Sequence, residues 1–335
     1  MMGSYETGIV REESGMSNRE TEMGKKRMEQ ILFMKIKSNT KKVQFFFLLF
    51  IPCFTFLILS SSCSSAPKKP VEIFTDRIMA ANQLNLANHT ANRGRYDDAL
   101  LILEEAWRLA LSTDDPALRI KTTISRGSIL FYLGRHDEAF RSWEIAAAEG
   151  DASNHAVLAA LARIYTIRST LVLLGAEGQG SGTDGIVEEY KVDLSREMSI
   201  VKSDSLAVAA GYVTLGMAEK QLGRWAEAES TVKKALEIHE KSIYLEDAAY
   251  DWFLIASIRS MAGNYNAALE ALRTAINFDR RAENGFGLAS SWQAMGDVHQ
   301  KAGQTEESRA AWRRAADIFR AIGLAEKAEK LEMLL

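Results

Sequence analysis

Residues Gly223–Ala235 read GRWAEAESTVKKA, and the reading of that stretch decides the fold. In front of it, SLAVAAGYVTLGMAEKQL (Ser205–Leu222) sets Leu206, Ala210, Val213 and Met217 at three- and four-residue steps, the pattern of an amphipathic helix. Gly223 then ends that helix, because glycine accepts the left-handed conformation of a helix C-terminus at little cost. Behind the aromatic Trp225, residues Ala228, Val232 and Ala235 form the apolar stripe of a second helix. Ala228 is small where two helices must approach closely, and Val232 fills the space one turn on. The stretch predicts a helix, a tight turn and an antiparallel helix.

The phrase recurs. Gly94, Gly134, Gly263 and Gly303 open GRYDDALLILEEA, GRHDEAFRSWEIA, GNYNAALEALRTA and GQTEESRAAWRRA, and the five glycines stand 40, 89, 40 and 40 residues apart. The offsets return at Tyr96, Ala99, Leu103 and Ala106, at His136, Ala139, Trp143 and Ala146, and at Tyr265, Ala268, Leu272 and Ala275. A looser copy is Thr305, Ser308, Trp312 and Ala315. Seven residues before each glycine lies another small residue: Ala87, Gly127, Gly216, Ala256 or Gly296. Small residues at matched positions mean tight hairpins, and one hairpin cannot bury both its faces, so neighbours must stack. The interval of 89 conceals a sixth, degenerate repeat. A helical pattern runs from Asn154 to Leu174 through Leu158, Leu161, Ala162 and Tyr165, and GAEGQGSGTDG (Gly175–Gly185) forms a loop. A second helix resumes around Ile186–Met198, and Leu324–Leu335 supplies a terminal capping helix. Pro116, behind Asp114 and Asp115, reads as a first-turn proline under an acidic cap.

These phrases resemble the tetratricopeptide repeat (TPR) family over about Val71–Leu335. The resemblance implies an all-α fold: a right-handed α-solenoid of about six helix hairpins plus a C-terminal capping helix, over residues 73–335. The period of 40 exceeds the family's roughly 34 residues, which predicts helices about a turn longer. The proline that usually closes such a repeat is missing. In this family the first helices line a concave face that takes extended or helical peptide segments. By register the candidates on that face are Asn85, Asn88, Asn92, Lys121, Ser125, Tyr132, Lys220, Tyr250, Phe253, Gln293 and Asp297. Asparagine is a poor helix former, so Asn82, Asn85, Asn88 and Asn92 in one helix are unusual. They are either hydrogen-bonding groups for a partner or a tolerated polar face on a terminal helix. The basic-asparagine clamp with which some relatives hold a C-terminal carboxylate is not reproduced, since Leu84 stands where its first lysine belongs.

The front of the chain belongs to another physical class. Residues 1–33 are polar and without period, a non-native or disordered extension, and translation can begin at Met28 or Met34. Lys35, Lys37, Lys41 and Lys42 precede the apolar run FFFLLFIPCFTFLIL (Phe45–Leu59), which Pro52 interrupts. A basic stretch, an apolar core and small residues before Cys63 resemble a bacterial lipoprotein signal over residues 34–62, with a linker over 63–72. Cys63 is then the lipid attachment site, and the protein is expected in the bacterial cell envelope, facing the periplasm. Ser64 agrees with sorting to the outer membrane. An uncleaved N-terminal membrane anchor is the alternative.

Counted from Cys63, 32 basic residues stand against 38 acidic ones, a net charge of −6 that argues against nucleic acid. That part has no second cysteine, so disulfides play no role and packing must hold the fold. The five histidines, His89, His136, His155, His239 and His299, are scattered without partners at metal-ligand spacing. His136 occupies the aromatic slot of its phrase and reads as packing. The glycine-rich loop lacks the Gly-Lys-Ser/Thr of a phosphate cradle and follows a helix. No nucleophile motif and no zinc helix motif occur, so catalysis, metal and cofactor are not expected. The reading is a lipid-anchored envelope scaffold, an assembly or pilotin-like factor that binds a protein or peptide. The other reading is an accessory subunit of a solute transporter, with Tyr250, Trp252 and Phe253 lining a cavity.

Overall fold

The structure, a computed structural model, describes residues 75–176 and 182–335. Ile73–Leu335 forms a compact unit. Residues 1–74 lie outside the described residues, and with them the extension, the signal, Cys63 and the linker.

Thirteen α-helices and no strand occur among the described residues. Six hairpins follow one another: α1 (Thr75–Asn92) with α2 (Tyr96–Ser112), α3 (Pro116–Tyr132) with α4 (His136–Ala152), and α5 (Ala156–Ala176) with α6 (Asp184–Ile200). Then come α7 (Ser205–Gln221) with α8 (Trp225–Lys241), α9 (Leu245–Met261) with α10 (Tyr265–Ala282), and α11 (Gly285–Lys301) with α12 (Thr305–Ala321). Helix α13 (Ala325–Glu332) closes the series. Each hairpin packs on its neighbours in chain order, as a solenoid requires. Most helices run 17 residues, which accounts for the 40-residue period.

The five turn glycines do what their phrase predicts. Gly223 has φ of +70°; its N–H bonds the Lys220 carbonyl at 3.1 Å, and that of Arg224 bonds Glu219 at 3.0 Å. Those bonds satisfy carbonyls that the end of α7 would otherwise leave without partners. The small residues seven positions earlier are where the hairpins close. A Cβ at Gly216 would strike Val232, one at Gly127 would strike the Trp143 ring, and one at Gly296 the Trp312 ring. Ala228 and Val232 are fully buried in the core of the fourth hairpin. Asp115 caps α3 by accepting the Leu118 N–H at 3.0 Å, with Pro116 in the first turn.

Helix α5 is apolar all round, long enough by length and composition to cross a membrane. Here it lies among α4, α6 and α7, and Ala160, Ile164, Ile167 and Leu171 are buried there.

The sequence predicts only that α13 covers the last apolar face. Ala328 and Leu331 do so, beneath Phe319. The turn before it does more: Leu324 joins the core of the first hairpin, and Ile322 lies against Gly94.

Candidate functional site: a lumen closed by the first and last hairpins

The array closes on itself. Phe286 at the start of α11 lies 6.0 Å from the Tyr96 ring and 5.7 Å from the Tyr132 ring, both edge-on. Tyr96 and Tyr132 stack at 6.0 Å, and Phe286 meets Phe319 at 6.1 Å. Arg93, after α1, donates to Glu283, before α11, at 2.8 Å. Hairpins one and six are thus joined by an aromatic cluster, an ion pair and the Ile322–Leu324 turn. His89 of α1 comes within 3.6 Å of Glu246 of α9.

Closure turns the concave face into a lumen ringed by the first helices of the hairpins. On α1, Asn85, His89 and Asn92 share a stripe at four- and three-residue spacing, and His89 shows that the stripe looks across at α9. Asn85 and Asn88 are exposed and Asn92 half-buried; the four asparagine side chains make no hydrogen bond among the described residues. On α3 the same spacing runs Lys121, Ser125, Ser128, Tyr132, and on α9 it runs Glu246, Tyr250, Phe253, Ser257. Tyr250 and Phe253 stack at 6.3 Å.

Tyr132 marks the interior most clearly. It keeps 55% of its surface open to water. Its hydroxyl is nonetheless strongly disfavoured from ionising, first by the surrounding protein and then by Tyr250. Tyr132 is thus exposed at its surface yet neighboured by Tyr250, Tyr165 and Arg168 from other hairpins. Burial raises the hydroxyls of Tyr165 and Tyr250 as well, opposed in both by the charge of Arg168. Three tyrosines, from α3, α5 and α9, therefore share the field of one arginine. Asp247 of α9 belongs to the same group: burial raises its carboxyl, against His239 and Arg168.

Arg168 is held in place by neutral groups. Its Nε donates to Thr214 Oγ1 at 3.2 Å and its Nη2 to the Ala210 carbonyl at 2.9 Å, both on α7. Its guanidinium lies 5.0 Å over the Tyr165 ring. Lys220, at the end of α7, donates to Ser257 Oγ of α9 at 3.1 Å. Burial and then the charge of Lys301 lower its ammonium.

The remaining candidates divide. Lys121 is exposed, and Ser125 and Gln293 are half-buried. Asp297 accepts the Trp312 indole N–H at 2.8 Å, which commits its carboxylate to its own hairpin. Tyr165, Arg168 and Asp247 were missed as site residues. The third hairpin has no glycine phrase, so Arg168 had no register to place it. Tyr165 and Asp247 were legible only as an apolar position and as a first-turn acid.

His136 stacks on Phe131 at 4.8 Å, as packing. The scattering of the histidines hid one partner: buried His239 meets Asp251 at 2.7 Å. Burial pushes the Asp251 carboxyl up. Burial also opposes the charged His239 ring, but the Asp251 hydrogen bond and charge prevail and raise it. No group of three His, Cys, Asp or Glu suited to a metal occurs among the described residues.

Residues 207–281, the fourth and fifth hairpins, match the family described as tetratricopeptide repeat. No curated protein sequence matches the chain. Among solved structures, a Rap protein complexed with Competence and Sporulation Factor is similar at 13% identity, over 78% of this chain and 74% of that one, with a TM-score of 0.50. A signal transduction ATPase with numerous domains and a tetratricopeptide repeat sensor, from Pyrococcus horikoshii, is similar at 15% identity with a TM-score of 0.51. That match covers 79% of this chain and 43% of the other. At these identities the likeness is one of fold.

Proposed function

We propose that the lumen holds an extended segment of a protein or peptide partner, on a scaffold anchored to the bacterial envelope by lipid at Cys63. The observation that carries the reading is the closure of the array by Phe286, Tyr96, Tyr132 and the Arg93–Glu283 pair, around a concave face that presents Tyr132, the Tyr250–Phe253 stack and Arg168 over Tyr165. Tyrosines give large contact area at small entropic cost and keep a hydroxyl for hydrogen bonding. Their mutual placement comes from helices, not loops, so the site is preorganised. The Rap structure, similar in fold, is a complex with Competence and Sporulation Factor. That supports the reading through architecture alone. The lipid rests on the basic stretch, the apolar run and the small residues before Cys63. Diacylation would hold the chain firmly where a single acyl chain would not.

The test is photocrosslinking in intact envelopes, with a photoreactive residue at Tyr132 or Phe253 and a control at Trp107, exposed on α2. The reading expects one protein band from both lumen positions and its absence at Trp107. Equal labelling at all three positions, or none in the lumen, contradicts it. Cys63→Ser abolishes fatty-acid labelling if the anchor is correct; retained labelling refutes the anchor and leaves the lumen untouched.

A further inference from the structure

Resting on the reading of the lumen as a segment-binding site, we propose that its occupant is an acidic, extended peptide segment whose carboxylates meet Arg168 at one level of the lumen and Lys220 at another. The argument begins with how the other cations are used. Arg119, Arg163, Arg224 and Arg259 each face a carboxylate on a helix of the same or the preceding hairpin. Arg168 and Lys220 make no such ion pair among the described residues, although Arg168 lies in the field of Asp247 and Asp251. Their hydrogen-bond partners are a threonine hydroxyl, a backbone carbonyl and a serine hydroxyl, with a tyrosine ring beneath the guanidinium. A half-buried cation whose hydrogen bonds all go to neutral groups has given up hydration without a directly bonded counter-charge.

The carboxylates nearby are occupied elsewhere. Asp297 accepts from Trp312, Asp251 bonds His239, and Glu246 lies 3.6 Å from His89. Asp247 lies in the field of both Arg168 and His239 without an ion pair to either among the described residues, and burial raises its carboxyl. On the other side, Lys301 of α11 adds a second positive charge beside Lys220. The lumen thus presents two cationic levels, one at Thr214 and one at Lys220.

Six residues of α7 separate those levels, roughly 9 Å at the helical rise. An extended chain advances about 3.3 Å per residue, so the matching carboxylates stand two to four residues apart. Between them, the rings of Tyr132, Tyr165, Tyr250 and Phe253 suit an aromatic or long apolar side chain.

The experiment selects random 12-residue peptides displayed on phage against the full chain, then measures the affinity of synthetic copies. The proposal expects enriched peptides with two acidic residues two to four apart. Arg168→Gln and Lys220→Met should each weaken binding at least tenfold, and raising salt should weaken it further. Lys220→Glu should shift selection toward basic peptides. Lys220 sits at the end of α7, so its variants carry the test even if Arg168→Gln fails to fold. Peptides that depend on Tyr132 but lack acidic residues, or ignore both cation substitutions, overturn the charge assignment and leave the lumen reading standing. Binding indifferent to Tyr132→Ala, or no enrichment at all, overturns the lumen reading itself.

Discussion

At the scale of the residue, backbone conformation and close packing decide more than charge. Gly216 has no room for a methyl group against Val232 and the Ala228 carbonyl. Gly216→Ala should therefore lower stability by about 1–3 kcal/mol in a denaturant melt, and an unchanged midpoint would show the hairpin contact to be wrong. Ile243 holds φ of +59° while 76% exposed. A β-branched residue is strained there, so Ile243→Gly should stabilise by roughly 1 kcal/mol, and a lowered melting temperature would argue against that backbone. Asp279 is buried at the joint between α10 and α11, where Asn284 donates to it at 2.7 Å. Burial prevails over that hydrogen bond and raises the carboxyl to about 7. The folded chain then keeps a proton that the unfolded chain releases near pH 4, so stability falls as pH rises through that window and stays low above it. Asp279→Asn should remove this slope and stabilise at pH 8 by about 2–4 kcal/mol. Equal pH profiles for the two proteins would contradict the assignment.

At the scale of the element, the hairpins were legible because each glycine phrase carries its own turn, stripe and small contact residue. The third hairpin was legible from its length and from the apolar run at Leu158–Tyr165, although no phrase marks it. Its interior was not, since Arg168 lies on a helix with no repeat register. Closure left no trace in the sequence. Phe286, Ile322 and Leu324 reach partners some 150 to 230 residues away, and nothing periodic announces a contact between the ends of an array. Phe286 is the element-level test. Phe286→Ala, removing a half-buried ring from the cluster, should cost about 1–3 kcal/mol and raise amide exchange in α1 and α2 more than in α7 and α8. Uniform exchange across the four helices would mean that Phe286 does not fasten the ends together.

At the scale of the whole molecule, the difference between an open groove and a closed lumen decides how the proposed partner would enter. An open solenoid accepts a segment from the side. A closed one either parts hairpins one and six first, by local opening at the Arg93–Glu283 contact, or takes the segment by its end. The direct measurement is intramolecular crosslinking of Arg93→Cys with Glu283→Cys by a short bis-maleimide, in a chain whose Cys53 and Cys63 are replaced by serine. A closed ring predicts rapid crosslinking within the monomer, faster than for Arg93→Cys paired with Lys202→Cys near the end of α6. No crosslink between 93 and 283, with both cysteines reactive toward a simple maleimide, would contradict the closed lumen.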